Sequence, residues 1–242
     1  MNHVAKETGK YSEEAHATFN ELDARVEKVF SQVKEWRGWK FLHDPNTPRE
    51  DIVRFIREIF RSVVMYQAHT TEAGFHMFGR LPKGDVRLIQ ALCGHKAEEA
   101  EHGIWAAEDH QKLGGQPQVQ AKPSPATFAV AAVWWRMAML EDPLGYLGAE
   151  YLFEELTALA TAALLPLIKA RDLPTDGFRF IIEHATEDAK HAVFIKHLIL
   201  DVATRYPESP TAMFRCFDYF HQVYPLPVWD EAFERAIVAS AR

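Results

Sequence analysis

The sequence predicts an all-α fold, a bundle of seven or eight helices. Apolar residues recur at three- and four-residue spacing through most of the chain. No window alternates apolar and polar residues between turn signals, so almost no strand is expected. Capping residues, prolines and glycines divide the chain into stretches of helical length.

The first helix spans 12–36, with Phe19, Leu22, Val26, Val29, Phe30 and Val33 on its apolar face. "RGWKFLHDPN" breaks that pattern. "TPRE" at 47–50 then offers Thr47 as N-cap, Pro48 at the first helical position and Glu50 to close a capping box. The helix it opens continues through "DIVRFIREIFRSVVMYQAHTTEAGF" and ends at "GRLPKGD". A helix over 85–113 stops at Gly114-Gly115, and "GGQPQVQAKPSP" is the clearest loop. "ATFAVAAVWWRMAML" forms the next helix, and Pro143 separates it from "LGYLGAEYLFEELTALATAALLPLIKA". After "RDLPTDG" comes a helix over about 178–204, and shorter helices near 209–222 and 228–240 complete the chain.

With 242 residues, 48% hydrophobic and 25% charged, the chain has the make-up of an ordinary folded soluble protein and suits one large domain. We expect a single domain over 1–242. Its core covers about 48–205, with the helix at 12–36 and the helices at 209–240 packed on it. The net charge of −7 with no Lys/Arg block excludes a nucleic-acid surface. Cys93 and Cys216 lie far apart without a CxxC pattern, which points to a reducing cytoplasm and no disulfide framework. "FAVAAVWW" and "ALATAALLPLI" are too short to span a bilayer, so no membrane partner is expected. "MNHVAKETGK" carries no apolar stretch of a signal peptide.

The segment "HATEDAKH" at 184–191 raises a physical question. His184, Asp188 and His191 share one helical face, in a row that continues as Ile181, Ile195 and Leu198. An ionised carboxylate without a partner costs several kcal/mol to bury in such surroundings. "HKAEEAEH" at 95–102 repeats the form H-x3-[DE]-x2-H, placing His95, Glu99 and His102 between Leu88 and Leu92 on one side and Ala106 and Leu113 on the other. A charged run of this kind is ordinarily a solvated face with i, i+4 pairs. Two matching stripes, each set in an apolar row, point instead to a shared polar centre.

Metal ions account for both stripes most economically. Divalent iron or manganese takes imidazole and carboxylate ligands, and helix-bundle dimetal sites use carboxylates and histidines at i, i+3 spacing. Glu99–His102 and Asp188–His191 have that spacing. A further carboxylate is needed, and Glu150, Glu154 and Glu155 are offered by "YLGAEYLFEEL". A zinc hydrolase fits this carboxylate-rich set poorly, and a single axial histidine on heme would leave the acids unexplained.

"EEAEHGIWAAEDHQKLGG", "YLGAEYLFEEL" and "FIIEHATEDAKHAVFIKHLI" resemble the three core blocks of the heme-oxygenase-like diiron oxidases and oxygenases. The resemblance covers about residues 50–205. It implies a seven-helix heme-oxygenase-like bundle holding two Fe(II)/Fe(III) ions, with O2 as co-substrate. It also implies Glu99, His102, Glu154, His184, Asp188 and His191 as ligands. Some members carry a glutamate where this chain has His95, which leaves His95 as a ligand, a supporting group or simply a buried residue. Members often supply another glutamate from the preceding helix, for which Glu72 is the nearest candidate, with His69 a turn away.

The resemblance implies oxidation of an amino acid, a fatty acid or another small amine or carboxylic acid, by C–H abstraction, C–C cleavage or N-oxygenation, without selecting one. We expect a small amino-acid-like or carboxylic-acid substrate in a biosynthetic pathway. Arg136 is a candidate partner for a substrate carboxylate, and Phe75, Trp105 and Tyr151 are candidates to contact the substrate body. A homodimer and an external electron donor are compatible with this reading. Two rivals stand beside it. One is a metal-independent enzyme of the same bundle, thiaminase-like or resembling the pyrroloquinoline quinone synthase, although neither cysteine has a setting that suggests activation. The other is a non-catalytic iron-binding or interaction bundle.

Overall fold

The computed structural model describes residues 10–117 and 122–238. Residues 1–9, 118–121 within the expected loop and 239–242 at the end of the expected last helix lie outside them. Among the described residues there is no strand, and ten α-helices follow in order. They are α1 (Glu13–Glu35), α2 (Arg37–His43), α3 (Arg49–Phe78), α4 (Val86–Glu99), α5 (His102–Lys112), α6 (Pro125–Leu140), α7 (Tyr146–Ala170), α8 (Arg179–Arg205), α9 (Ser209–His221) and α10 (Leu226–Phe233). The two beyond the expected eight are α2, formed by the "RGWKFLH" that interrupts the first pattern, and α5, split from α4.

Local chemistry explains most boundaries. Ser12 caps α1 by accepting the Ala15 N–H at 3.1 Å, with Glu13 and Glu14 in the first turn and Lys34 in the last. Asp85 caps α4 through the Leu88 N–H. The expected Thr47 cap is not made. The Thr47 hydroxyl donates to the Phe41 carbonyl at 2.7 Å, tying α2 to the turn, and Pro48 occupies the cap position instead. The Thr47 N–H donates to the Asp44 carbonyl at 3.1 Å, so it is not the partner of Glu50 that a capping box requires. The last helix starts at Leu226 and passes after Phe233 into a wider turn, Glu234–Val238.

The helix expected over 85–113 breaks at Ala100–Glu101. There the backbone ladder tightens, with the Glu101 N–H reaching Glu98 O at 3.4 Å. The Glu99 carbonyl takes a side-chain bond from Gln67 Nε2 of α3 at 3.4 Å. Glu99 therefore ends one helix and His102 begins the next, both turned to the interior.

α7 is the centre of the packing, against α8, α9 and α1, while α3 packs on α6, α5, α10 and α4. Contrary to the sequence expectation, Pro143–Ala170 is long and apolar enough by length and composition to cross a membrane. Yet 56% of its most apolar window is buried within the bundle, as befits a core helix. Gly148 lets α7 approach α9 closely, since a Cβ there would lie 2.0 Å from the Met213 carbonyl oxygen.

Candidate metal centre

α4, α5, α7 and α8 aim histidines and carboxylates at one buried point. His95 and Glu99 come from α4, Glu154 from α7 and His191 from α8, and one ligand-type atom from each lies within 4.8 Å of all the others. His95 Nε2 is 3.2 Å from Glu154 Oε1. His191 Nδ1 is 3.1 Å from Glu99 Oε1 and 3.6 Å from Glu154 Oε2. The other oxygen of Glu99, Oε2, turns to His102 Nδ1 at 2.9 Å. The His102 and His184 rings sit 4.3 Å apart. Glu99 thus stands between two groups, one around His95, Glu154 and His191 and one around His102 and His184.

These residues fit a metal by their unmet bonding. Both ring nitrogens of His95, Glu99 Oε1, His102 Nδ1 and Glu154 Oε1 are buried without a hydrogen-bond partner, although complementary groups stand within reach. Buried polar atoms in a folded protein are nearly always partnered, and a cation converging on these lone pairs would satisfy them. His184 is prepared differently. Its Nδ1 lies 2.6 Å from the Phe180 carbonyl, which directs that nitrogen's proton to the backbone and leaves Nε2 for another role.

The electrostatics follow from burial against charge. Burial alone would raise the Glu99 carboxyl, but His102, His191 and Lys96 hold it well below the usual range. Glu154 is likewise lowered, with burial and Glu99 opposing and His191 and His95 prevailing. His191 is pushed up to about 11, because Glu154 and Glu99 outweigh burial. His184 is held down to about 4 by burial and by His102.

Beside the cluster lies a cavity of about 80 Å3, whose lining includes Glu99, His102, Glu154 and His184. Its other walls are mainly apolar, from Ile56, Phe60, Val63, Phe153 and Leu164 to Trp36, Trp39 and Trp229. The hydroxyls of Thr157 and Thr161 donate to carbonyls of α7 at 2.7 Å, which spends their polarity on the helix. No lysine or arginine is among the lining residues.

The structure redistributes several sequence candidates. The side chain of Asp188 lies outside the described residues. Glu72 and His69 are exposed, because the buried stripe of α3 runs through Tyr66, Gln67, Thr70, Ala73, Gly74 and Met77 and turns both outward. Arg136 is exposed and faces Glu141 at 3.7 Å, so it takes no part in the cavity. Phe75 is 43% exposed. Tyr151 packs on Phe19 and its hydroxyl donates to Asp23 at 2.6 Å, on the α1 side of α7. Burial and then Asp23, on that same side, raise the Glu155 carboxyl above its ordinary range against the opposing charge of Lys196. Trp105 sits against His102, with ring centroids 4.7 Å apart, but does not line the cavity. Glu150 is buried in an ion pair with Lys96. Sequence reasoning missed Lys96, although its place four residues after Leu92 and three before Glu99 puts it on the inward face.

Residues 57–224 match the family model described as iron-containing redox enzyme. Among solved structures, the chain is similar to a domain of unknown function with a heme oxygenase-like fold from Shewanella denitrificans OS217. The identity is 19%, the coverage 92% of this chain and 94% of that one, and the TM-score 0.74. It is also similar to a CADD-like protein of unknown function from Nostoc punctiforme PCC 73102, at 19% identity, 90% and 98% coverage and a TM-score of 0.60. No curated protein matches the chain. The overlays support the heme-oxygenase-like fold expected from the sequence, and the family match takes in every residue of the buried cluster. On that ground the chain belongs to the iron-containing redox enzymes.

Proposed function

We propose that this protein is a non-heme diiron oxidase or oxygenase that uses O2 to oxidise a small carboxylic or amino-acid-like substrate with an apolar body, within a biosynthetic pathway. The observation that carries the reading is the buried group of His95, Glu99, Glu154 and His191, whose ligand atoms converge within 4.8 Å. One ion would be held by that group. A second would be held by Glu99 Oε2 with His102 and His184, and Asp188 is expected to complete the pair. Bound iron supplies the electrons and open coordination positions for O2 activation.

The chain's own residues do the rest. Glu99 directs its two oxygens to the two histidine groups and so ties the sites together. The Phe180 carbonyl fixes the His184 ring. The apolar walls exclude water from the cavity and contact the substrate body. With no lysine or arginine among those walls, a substrate carboxylate or amine would be placed against the lining histidines and carboxylates. Cys216 offers no thiolate for the nucleophile-based rival, because burial pushes its thiol up to about 12.

Anaerobic loading with Fe(II), followed by iron analysis and oxygen uptake with acids and amines of graded apolar length, tests the reading. We expect about two irons per chain, as in helix-bundle dimetal sites, and uptake that accelerates with the right substrate. Glu99→Ala should weaken iron binding about 100-fold or more, beyond the effect typical of a supporting residue. Wild-type iron content in that variant would overturn the assignment.

A further inference from the structure

Lys96 is fully buried at 0% exposure, beside the centre yet outside it. The bundle makes a slot for it. Gly74 of α3 faces its stem, and a Cβ at that glycine would lie 3.3 Å from Lys96 Cε. The ammonium passes 5.6 Å from the Tyr146 ring centroid and ends in an ion pair with Glu150, itself wholly buried. A buried ion pair costs desolvation and is weak evidence for stability alone, so its location carries the meaning. Glu150 Oε1 also faces His95 Nδ1 at 3.6 Å, longer than a hydrogen bond. The opposite edge of the same ring presents Nε2 to Glu154, and Phe194 stacks against the ring with centroids 5.6 Å apart.

Resting on the metal reading above, we infer that Lys96 and Glu150 are a positioning pair for His95. Glu150 accepts a hydrogen bond from Nδ1–H and so selects the tautomer whose Nε2 lone pair faces the metal. Lys96 cancels the charge of Glu150 and keeps that carboxylate out of the ligand set. His95 is thereby a ligand in this chain, and Gly74 is the small residue that admits the lysine. Metal-bound histidines regularly donate their other N–H to a carboxylate, and removing that carboxylate typically weakens metal binding 10- to 100-fold.

The test titrates Co2+ alone, which accepts the same nitrogen and oxygen ligands and absorbs visibly, into the metal-free full-length protein. Glu150→Gln should weaken binding about 10- to 100-fold and alter the visible band. Lys96→Met combined with Glu150→Gln leaves no unpaired charge to block folding, and it should show the same loss. His95→Ala should also weaken binding, and adding Glu150→Gln to it should cost nothing further, because Glu150 acts through His95. Wild-type affinity and spectrum in the folded Lys96→Met/Glu150→Gln variant would overturn the pair while leaving the metal reading standing. A wild-type protein that gives no Co2+ band would instead remove the metal reading and the pair together.

Discussion

His184 and His191 sit one above the other on α8, yet their surroundings pull them in opposite directions. Burial, then His102, holds His184 down to about 4 from an ordinary 6.5. As pH falls from 6.5 toward 4, the unfolded chain takes up a proton that the folded His184 refuses, so stability declines. The full displacement corresponds to about 3 kcal/mol. His191 is raised to about 11 by Glu154 and Glu99 despite burial. Its contribution is complete below 6.5 and is lost as pH climbs toward 11. Glu99, held low, adds stability that disappears as pH falls below the ordinary carboxylate range. The metal-free protein should therefore be most stable near pH 6.5, which thermal unfolding across pH will check. A melting temperature that stays level from about pH 5 to about pH 8 contradicts these environments. In the sequence, both histidines were legible as members of one inward stripe. Their opposite titration was not, because it depends on residues from α4, α5 and α7.

At the level of elements, two helix contacts can be tested directly. The first turn of α8 has no cap from its own flank, and Phe178 at the cap position provides no side-chain bond. Asp109 of α5 supplies it, accepting the Phe180 N–H at 2.7 Å across 71 positions of sequence. Asp109→Ala should cost about 1–2 kcal/mol in urea unfolding. The Phe180 carbonyl orients His184, so the variant should also weaken metal binding, and unchanged stability would show that the cap is idle. At Gly148 the neighbour is backbone rather than a movable side chain. Gly148→Ala should push α9 from α7 and destabilise by about 1–3 kcal/mol or more, and a melting temperature equal to the parent's would contradict that packing. The span of α8 was readable from its periodicity to within a residue or so, whereas its cap was not, since no local capping residue announces it. The break at Ala100–Glu101 escaped for a related reason. Both halves carry good helix formers, and the bond from Gln67 to the Glu99 carbonyl comes from another helix.

Across the whole molecule, the centre links α4, α5, α7 and α8, segments that are otherwise far apart along the chain. Mutual repulsion among Glu99 and Glu154 is offset in the metal-free protein by protonated His191 and by Lys96. A cation that binds only the folded state should stabilise it by about 2.7 kcal/mol at a hundredfold excess over its dissociation constant. Differential scanning under anaerobic Fe(II) should show a higher melting temperature that a chelator reverses. The same shift in Glu99→Ala would place the binding elsewhere.

What this sequence determined by itself was local in origin. Helical periodicity, proline and glycine punctuation, and the two H-x3-[DE]-x2-H stripes are written within single segments, because a helix repeats every few residues and exposes its pattern. Tertiary packing alone decided which polar residues meet. It turned Glu72, His69 and Arg136 to solvent, placed Tyr151 on Asp23, and joined Lys96 to Glu150 across 54 positions. The cavity walls were settled in the same way, from helices that approach only in the folded chain. The physical reason is the same in each case: a face can be read from its own spacing, but the partner it buries against belongs to another part of the chain.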